Sequence, residues 1–335
     1  MPPATQAQGL TPLPQTAPHG LSLNWDLKSI HVDAKVDWIE LVLRLDWCSQ
    51  QQHIRNLLVP RLGAGIFVTA LTEEGSKTEN LNDTTSVFLV RVQDPESAAS
   101  TLAAINGAIQ DKQSALSASS VSVHAIEVAI DVYPIEGRAP ANSLAALVAD
   151  LCRYRDSIPI DHGHLRIAAN DTAAVRSGAV LYLRDIQRAA TEPASIHSGN
   201  TALGHEQRIY LKTKDTKPGE RHALLPADMH RARFETTFRG KHLPFTTLEG
   251  WQTFKFESLR KRYFRWRIVE QEPPIAEASP IPLIRRLSRS EPGINRRKGV
   301  SGTKVDQDFG QVVKNALERL TRAQARPWSP RLNKK

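Results

Sequence analysis

Several stretches of this chain place ionisable side chains at every second position, opposite an apolar face. In Ile126–Tyr133, Ile126, Val128, Ile130 and Val132 share one side, while Glu127, Asp131 and Tyr133 share the other. Arg208, Tyr210, Lys212 and Lys214 oppose Ile209 and Leu211, and Arg231, Arg233, Glu235, Thr237 and Arg239 oppose Ala232, Phe234 and Phe238. Tyr182 and Arg184 oppose Leu181 and Leu183; His162, His164 and Arg166 oppose Leu165 and Ile167. Period-two alternation marks a half-buried strand. A solvated strand needs only polarity on its wet side, so phenols, imidazoles, ammoniums and carboxylates gathered there point to a sheet whose polar face does chemistry.

The chemistry this inventory suits is phosphodiester cleavage by a tyrosine. A phenol, with its pKa of about 10, is a poor nucleophile at neutral pH. A neighbouring lysine or arginine favours the phenolate, and a divalent metal on the phosphate stabilises the developing charge. Mg²⁺ takes oxygen ligands and Mn²⁺ also accepts imidazole. Both carboxylates and histidines are therefore candidate ligands here.

The elements that must position these groups follow from the same pattern. Strands are expected over Val36–Trp47, Gly65–Leu71, Ser86–Val92, Val121–Tyr133, His162–Ala168, Gly178–Arg184, Glu206–Lys214 and Arg231–Arg239. Helices are expected over Glu96–Gln113, Ser143–Tyr154, Leu248–Ile268 and Asp306–Ala325, the second capped by Asn142 and the last carrying Phe309, Val312, Val313, Leu317 and Leu320 on one stripe. Grouped strands with helices between them predict an α+β fold: a mainly antiparallel sheet, helices on one face, the polar face left open. The expected organisation is a disordered leader over 1–25, a main domain over 26–270 that carries these strands, a basic linker over 271–305 and a basic C-terminal helix and tail over 306–335.

The segments Val36-Asp37-Trp38, Ala125–Asp131, Val180–Leu183, Arg208–Lys212 and Arg233–Gly240 occur in an order that resembles the replication initiation factor family, the rolling-circle initiators of plasmids and filamentous phages together with related relaxases. The resemblance covers residues 35–240. It implies a relaxase-like fold and a metal-dependent DNA strand-nicking activity. In that reaction a tyrosine joins the 5′ phosphate at an origin and frees a 3′ hydroxyl to prime synthesis. By position it implies Tyr210 as nucleophile, with Tyr182 second, and Lys212 as the group that favours phenolate or contacts phosphate. Asp131, Glu235 and, more weakly, Glu127 match its acidic metal positions, with Mg²⁺ or Mn²⁺ as cofactor. His162-Gly163-His164 resembles the paired histidines of the broader HUH endonucleases, so these two are alternative ligands. The family's Gly-Ser-Arg is replaced by Leu183-Arg184-Asp185, and a long insertion follows from Gln187 to Glu206. The partners implied are single- and double-stranded origin DNA and a host helicase or polymerase; the rival reading is a non-catalytic DNA-binding protein of a plasmid or phage.

Charge supports a polyanion partner. Residues 1–250 hold 24 Lys and Arg against 27 Asp and Glu, whereas 251–335 hold 20 against 8. A basic surplus confined to the last quarter suits nucleic acid. Arg208, Lys214, Arg233 and Arg239 on the strands, and Arg285, Arg286, Arg296, Arg297 and Lys298 in the tail, are the candidate DNA contacts. Each phosphate contact adds about −0.9 to the log–log salt slope on duplex DNA. Two cysteines, Cys48 and Cys152, build neither a disulfide framework nor a zinc cluster, which suits a reducing cytoplasm. No apolar run reaches the roughly eighteen residues of a membrane span, and Met1–Gly20 lacks the basic start and apolar block of a secretory signal.

Overall fold

The computed structural model describes residues 27–78, 83–112, 116, 120–135, 165–169, 172–178, 181–182, 194–200, 204–215, 223–269, 280–281, 303–305 and 307–326. Nine strands form one antiparallel sheet: β1 (Ile30–Ser49), β2 (Phe67–Leu71), β3 (Thr85–Gln93), β4 (Val121–Pro134), β5 (Leu165–Ala169), β6 (Thr172–Gly178), β7 (Ala194–Asn200), β8 (His205–Lys212) and β9 (Arg231–Arg239). Their order across the sheet is β2-β3-β1-β4-β9-β8-β7-β5-β6. The expected antiparallel α+β architecture is what the chain adopts. Strand β7 lies inside the insertion, where no strand was expected, and it places Ser195 opposite Tyr210 and His197 opposite Arg208.

Two bulges set which side chains meet. In β1, Val36 pairs with Val128 and Trp38 with Glu127, so Asp37 is an extra residue. Before it Val32, Ala34 and Val36 face the core; after it Ile39, Leu41 and Leu43 do. A bulge of this kind lets a long strand keep its apolar face inward while the alternation slips by one. In β4, Glu40 pairs with Ala125 and Leu41 with Val123, so His124 is the extra residue. The switch from Val121 and Val123 to Ile126 and Val128 is absorbed there.

The helices α1 (Gln51–Leu62), α2 (Ala98–Ile109), α3 (Leu248–Thr253), α4 (Arg260–Tyr263) and α5 (Gln307–Gln324) send their buried side chains into the one apolar cluster formed with the sheet. Helix α2 starts at a reciprocal Ser97–Ser100 cap. The helix expected over Leu248–Ile268 is instead α3, a 3₁₀ turn at Phe256–Leu259, α4 and a strand at Arg267–Val269. Trp251, Phe256, Tyr263, Phe264 and Trp266 are all buried. A single helix carries one apolar stripe, and it cannot point residues two apart, such as Phe264 and Trp266, the same way. Helix α5, expected beyond a linker, packs on this core: Phe309 meets the Trp266 ring at 5.0 Å, and Trp251 donates its indole N–H to Gln324. The expected helix Ser143–Tyr154 lies outside the described residues, as do the leader and most of the linker.

Candidate functional site

On the side of the sheet away from the helices, register aligns the ionisable residues in rows. Asp131, Arg233, Tyr210 and Ser195 form one row across β4, β9, β8 and β7. Ala129, Glu235, Arg208 and His197 form the next, and Glu127, Thr237 and Glu206 the third. Ala129 leaves space between Glu127 and Asp131, and the Asp37 carboxylate enters from the bulge. The carboxylates of Asp37, Glu127 and Glu235 bring ligand atoms within 4.8 Å of one another.

Tyr210 donates its phenolic hydrogen to Glu235 Oε1 at 2.6 Å. Arg208 Nη2 donates to both Glu127 oxygens at 2.9 Å and lies 2.7 Å from Glu235 Oε2. Thr237 donates its hydroxyl to Glu127 Oε2. Arg233 grips Asp131 with Nε and Nη2 at 2.6 and 2.7 Å and reaches Asp37 with Nη1 at 2.7 Å. Lys35 pairs with Asp37 at 3.0 Å. Glu127 and Arg233 are wholly buried, so every charge here depends on its partner. The cluster opens to solvent through Arg208, Lys35 and Asp37, whose side chains are 34%, 31% and 17% exposed.

Protonation follows from this crowding. Burial first, then the Glu235 carboxylate, push Glu127 up to about 7, against the pull of Arg208 and Thr237. Burial opposes ionisation of Asp37 as well, yet Arg233, Lys35 and Lys212 together hold it well below the usual carboxylate range. Burial and then Glu235 push the Tyr210 phenol well above its usual value, with Arg233 and Arg208 pulling the other way. Three carboxylates this close suit a hard divalent cation. Glu235 Oε2 is buried and meets Arg208 as an ion pair without hydrogen-bond geometry, and the proton that Glu127 tends to hold is what a cation would displace. The donor set therefore fits Mg²⁺ or Mn²⁺.

The candidate residues have separate fates. Tyr210, Glu127 and Glu235 are brought together. Asp131, expected as a ligand, instead lies between Arg233 and Arg231, the latter at 3.1 Å. Its oxygens are spent on two guanidiniums, one row from the cluster. Lys212, expected beside the phenol, pairs with Asp215 at 2.8 Å and acts on Asp37. Arg233, expected at the DNA surface, is internal because three carboxylates surround it. Arg208 and Arg239 retain exposure, and Lys214 is exposed. Tyr182 sits in a separate ladder, Leu181–Tyr182 with Pro280–Ile281, rather than in the nine-stranded sheet. His162, His164, Arg285, Arg286, Arg296, Arg297 and Lys298 lie outside the described residues.

Asp37 was not expected as a ligand. The signal for it was the phase slip between Val36 and Ile39, which a bulge explains. The sequence also left unread a chain in β7 and β8: His197 donates from Nδ1 to Glu206 at 2.9 Å, and its Nε2 lies 2.6 Å from the Ser195 hydroxyl. A third group lies beside Glu127. Trp38, Glu40, Arg91 and Arg239 lock together, with Arg91 4.3 Å over the indole and Glu40 paired to both arginines.

No family model and no curated protein matches the chain. Among solved structures it is similar to "Structure of Rolling Circle Replication Initiator Protein from Geobacillus stearothermophilus", at a TM-score of 0.34 and 10% identity, over 89% of this chain and all of that one. The likeness is a distant one.

Proposed function

We propose that this chain is a rolling-circle replication initiator that nicks one DNA strand through Tyr210, with Asp37, Glu127 and Glu235 as the metal ligands. The observation that carries the reading is the 2.6 Å hydrogen bond from the Tyr210 phenol to Glu235 within a three-carboxylate cluster. A half-buried phenol needs a partner, but a carboxylate at this distance is also a ready acceptor for its proton. Bound there, Mg²⁺ or Mn²⁺ would supply Lewis-acid polarisation of a phosphoryl oxygen.

The chain's own residues supply the remaining steps. Tyr210 Oη forms a bond to phosphorus as its proton passes to Glu235 Oε1. The bond from phosphorus to the 3′ oxygen breaks, and that oxygen leaves with the electron pair and takes a proton from solvent. The DNA 5′ phosphate is then joined to Tyr210. Arg208, half-buried at the mouth of the cluster, has guanidinium hydrogens to offer a phosphate. Arg233 and Asp131 hold β4 and β9 in register beneath it and fix the orientation of Asp37.

The test is incubation with supercoiled origin plasmid and Mg²⁺ or Mn²⁺. Nicked circles carrying protein on the 5′ end are expected. Tyr210→Phe should reduce nicking to background while keeping DNA binding and the fold, since it removes one hydrogen bond to a charged group, worth about 1.5–3 kcal/mol. Chelation should stop nicking in the wild type. Normal nicking by Tyr210→Phe would sink the assignment.

The second reading is a DNA-binding protein whose sheet does no chemistry. It is favoured by the close pairing of arginines with carboxylates across this face, which also suits a purely structural lattice. On that reading DNA binds but neither metal nor Tyr210 changes the plasmid's topology.

A further inference from the structure

Beside the carboxylate cluster, the same face carries a second, differently built surface. Register places Phe67, Arg91, Glu40, Ala125 and Arg239 in one row across β2, β3, β1, β4 and β9. Phe67 is 60% exposed, the largest exposed ring among the described residues, and it lies on the outermost strand of that edge. Its neighbour Arg91 stacks on Trp38 at 4.3 Å, and Arg239 lies 5.7 Å from the same ring. Arg91, directly opposite the buried Glu40, reaches it through Nε at 3.0 Å, and the small Ala125 leaves room for Arg239 to reach it through Nη1 at 3.0 Å.

The trio of Arg91, Arg239 and Glu40 retains one net positive charge, and both guanidiniums are tied to the Glu40 carboxylate beside the Trp38 ring. Their side chains are still 34% and 26% exposed. A fixed guanidinium plane and an exposed aromatic ring side by side offer two flat surfaces to stack on, with cationic hydrogens beside them. That combination matches the alternating bases and phosphates of a single strand, whose bases have free faces. Duplex bases are stacked on each other and cannot use it. Trp38 adjoins Asp37 in sequence and pairs with Glu127 in register, so the row starts next to the carboxylates. Phe67 lies two strands beyond β1, about 10 Å farther out.

We propose that Phe67 and the Trp38-backed Arg91, with Arg239, form a stacking lane for single-stranded nucleic acid running from the cluster to the β2 edge. The proposal deepens the nickase reading, and rests on it for the identity of the nucleic acid as the strand that is cut. The lane selects the unpaired form of the substrate and fixes the bases next to the scissile phosphate.

Fluorescence anisotropy of the full chain with a labelled oligothymidine, and with a duplex of equal length, tests it. Phe67→Ala should weaken single-strand binding about tenfold, the loss expected for one stacked base, and leave duplex binding unchanged. Phe67→Trp should restore it. Arg91→Lys, which keeps the charge but loses the flat plane, should weaken the single strand selectively as well. Equal affinities of wild type and Phe67→Ala for the oligothymidine, or equal losses on both DNAs, would overturn the lane. Thermal melting of each variant shows that the fold is retained. Nicking by the same proteins separates the two readings. A Phe67→Ala chain that binds and nicks single strands like wild type removes the lane and leaves the nickase. A wild type that binds single strands through Phe67 but never nicks removes the nickase, and with it the lane's role in placing a scissile phosphate.

Discussion

At the scale of single residues, the buried carboxylates govern how the protein responds to pH. Glu127 is held protonated to about 7 by burial and by Glu235, well above its ordinary 4.5. A carboxyl whose folded pKa is raised binds more protons folded than unfolded between those two values, so its contribution to stability declines as pH rises through that window. Denaturant unfolding at about pH 5 and pH 8 should show a smaller decline in Glu127→Gln than in wild type, since glutamine mimics the protonated acid at both. Mn²⁺ should also flatten the wild-type decline. An unchanged slope in Glu127→Gln would show that another group carries it. The same crowding explains why Arg233 is an internal strut: removing one partner of a buried ion pair typically costs about 3–5 kcal/mol. Arg233→Met should lower the melting temperature accordingly, with DNA contacts of the surviving folded fraction unaltered.

At the scale of elements, the bulge in β1 is what assembles the site. It delivers Asp37 to Arg233 and turns Trp38 and Glu40 to the polar face while Ile39 and Leu41 stay in the core. Deleting Asp37 would leave Val36, Trp38 and Ile39 in strict alternation, so both apolar runs stay inward while the cluster loses one carboxylate and Arg233 loses one partner. The deletion should therefore fold cooperatively, less stable than wild type and with weakened Mn²⁺ binding. Asp37→Asn keeps the extra residue and should fold, with a loss of about 1.5–3 kcal/mol for a weakened bond to a charged group. Circular dichroism melts with and without Mn²⁺ check both variants, and a deletion variant that does not fold cooperatively would show that the extra residue is needed for the pairing itself. Strand β7 has the complementary role. It extends the sheet beyond Tyr210 and covers that side with Ser195 and His197.

At the scale of the whole molecule, one core joins the chain's two ends. Arg319 of α5 donates to the Val32 carbonyl in β1, and Phe309, Val313, Leu317 and Leu320 are buried. Burying four such side chains stabilises by on the order of 6–12 kcal/mol, comparable to the whole stability of a typical domain. A chain ending at residue 306 should therefore be unfolded or aggregated at room temperature; a truncated protein with an unchanged melting temperature would refute this. The basic last quarter thus contributes a structural helix as well as charge. Among the described residues no helix is long and apolar enough to cross a membrane.

Alternation alone established strands β4, β8 and β9 and the side to which Tyr210, Glu127, Glu235 and Arg233 point, because each is decided by neighbours two residues away, whereas β6 and β7 were not read from it. The expected β9 boundaries, Arg231–Arg239, match the observed ones for this reason. Which polar residues touch was a different matter. Asp37 and Arg233 are 196 residues apart, and their meeting depends on a bulge, a strand order and a register set by the packing of the other face. Asp131 and Glu127 read alike along the chain, both acids on one side of one strand. Only the register, which sets Arg233 opposite one and Thr237 opposite the other, made the first a strut and the second a member of the carboxylate cluster.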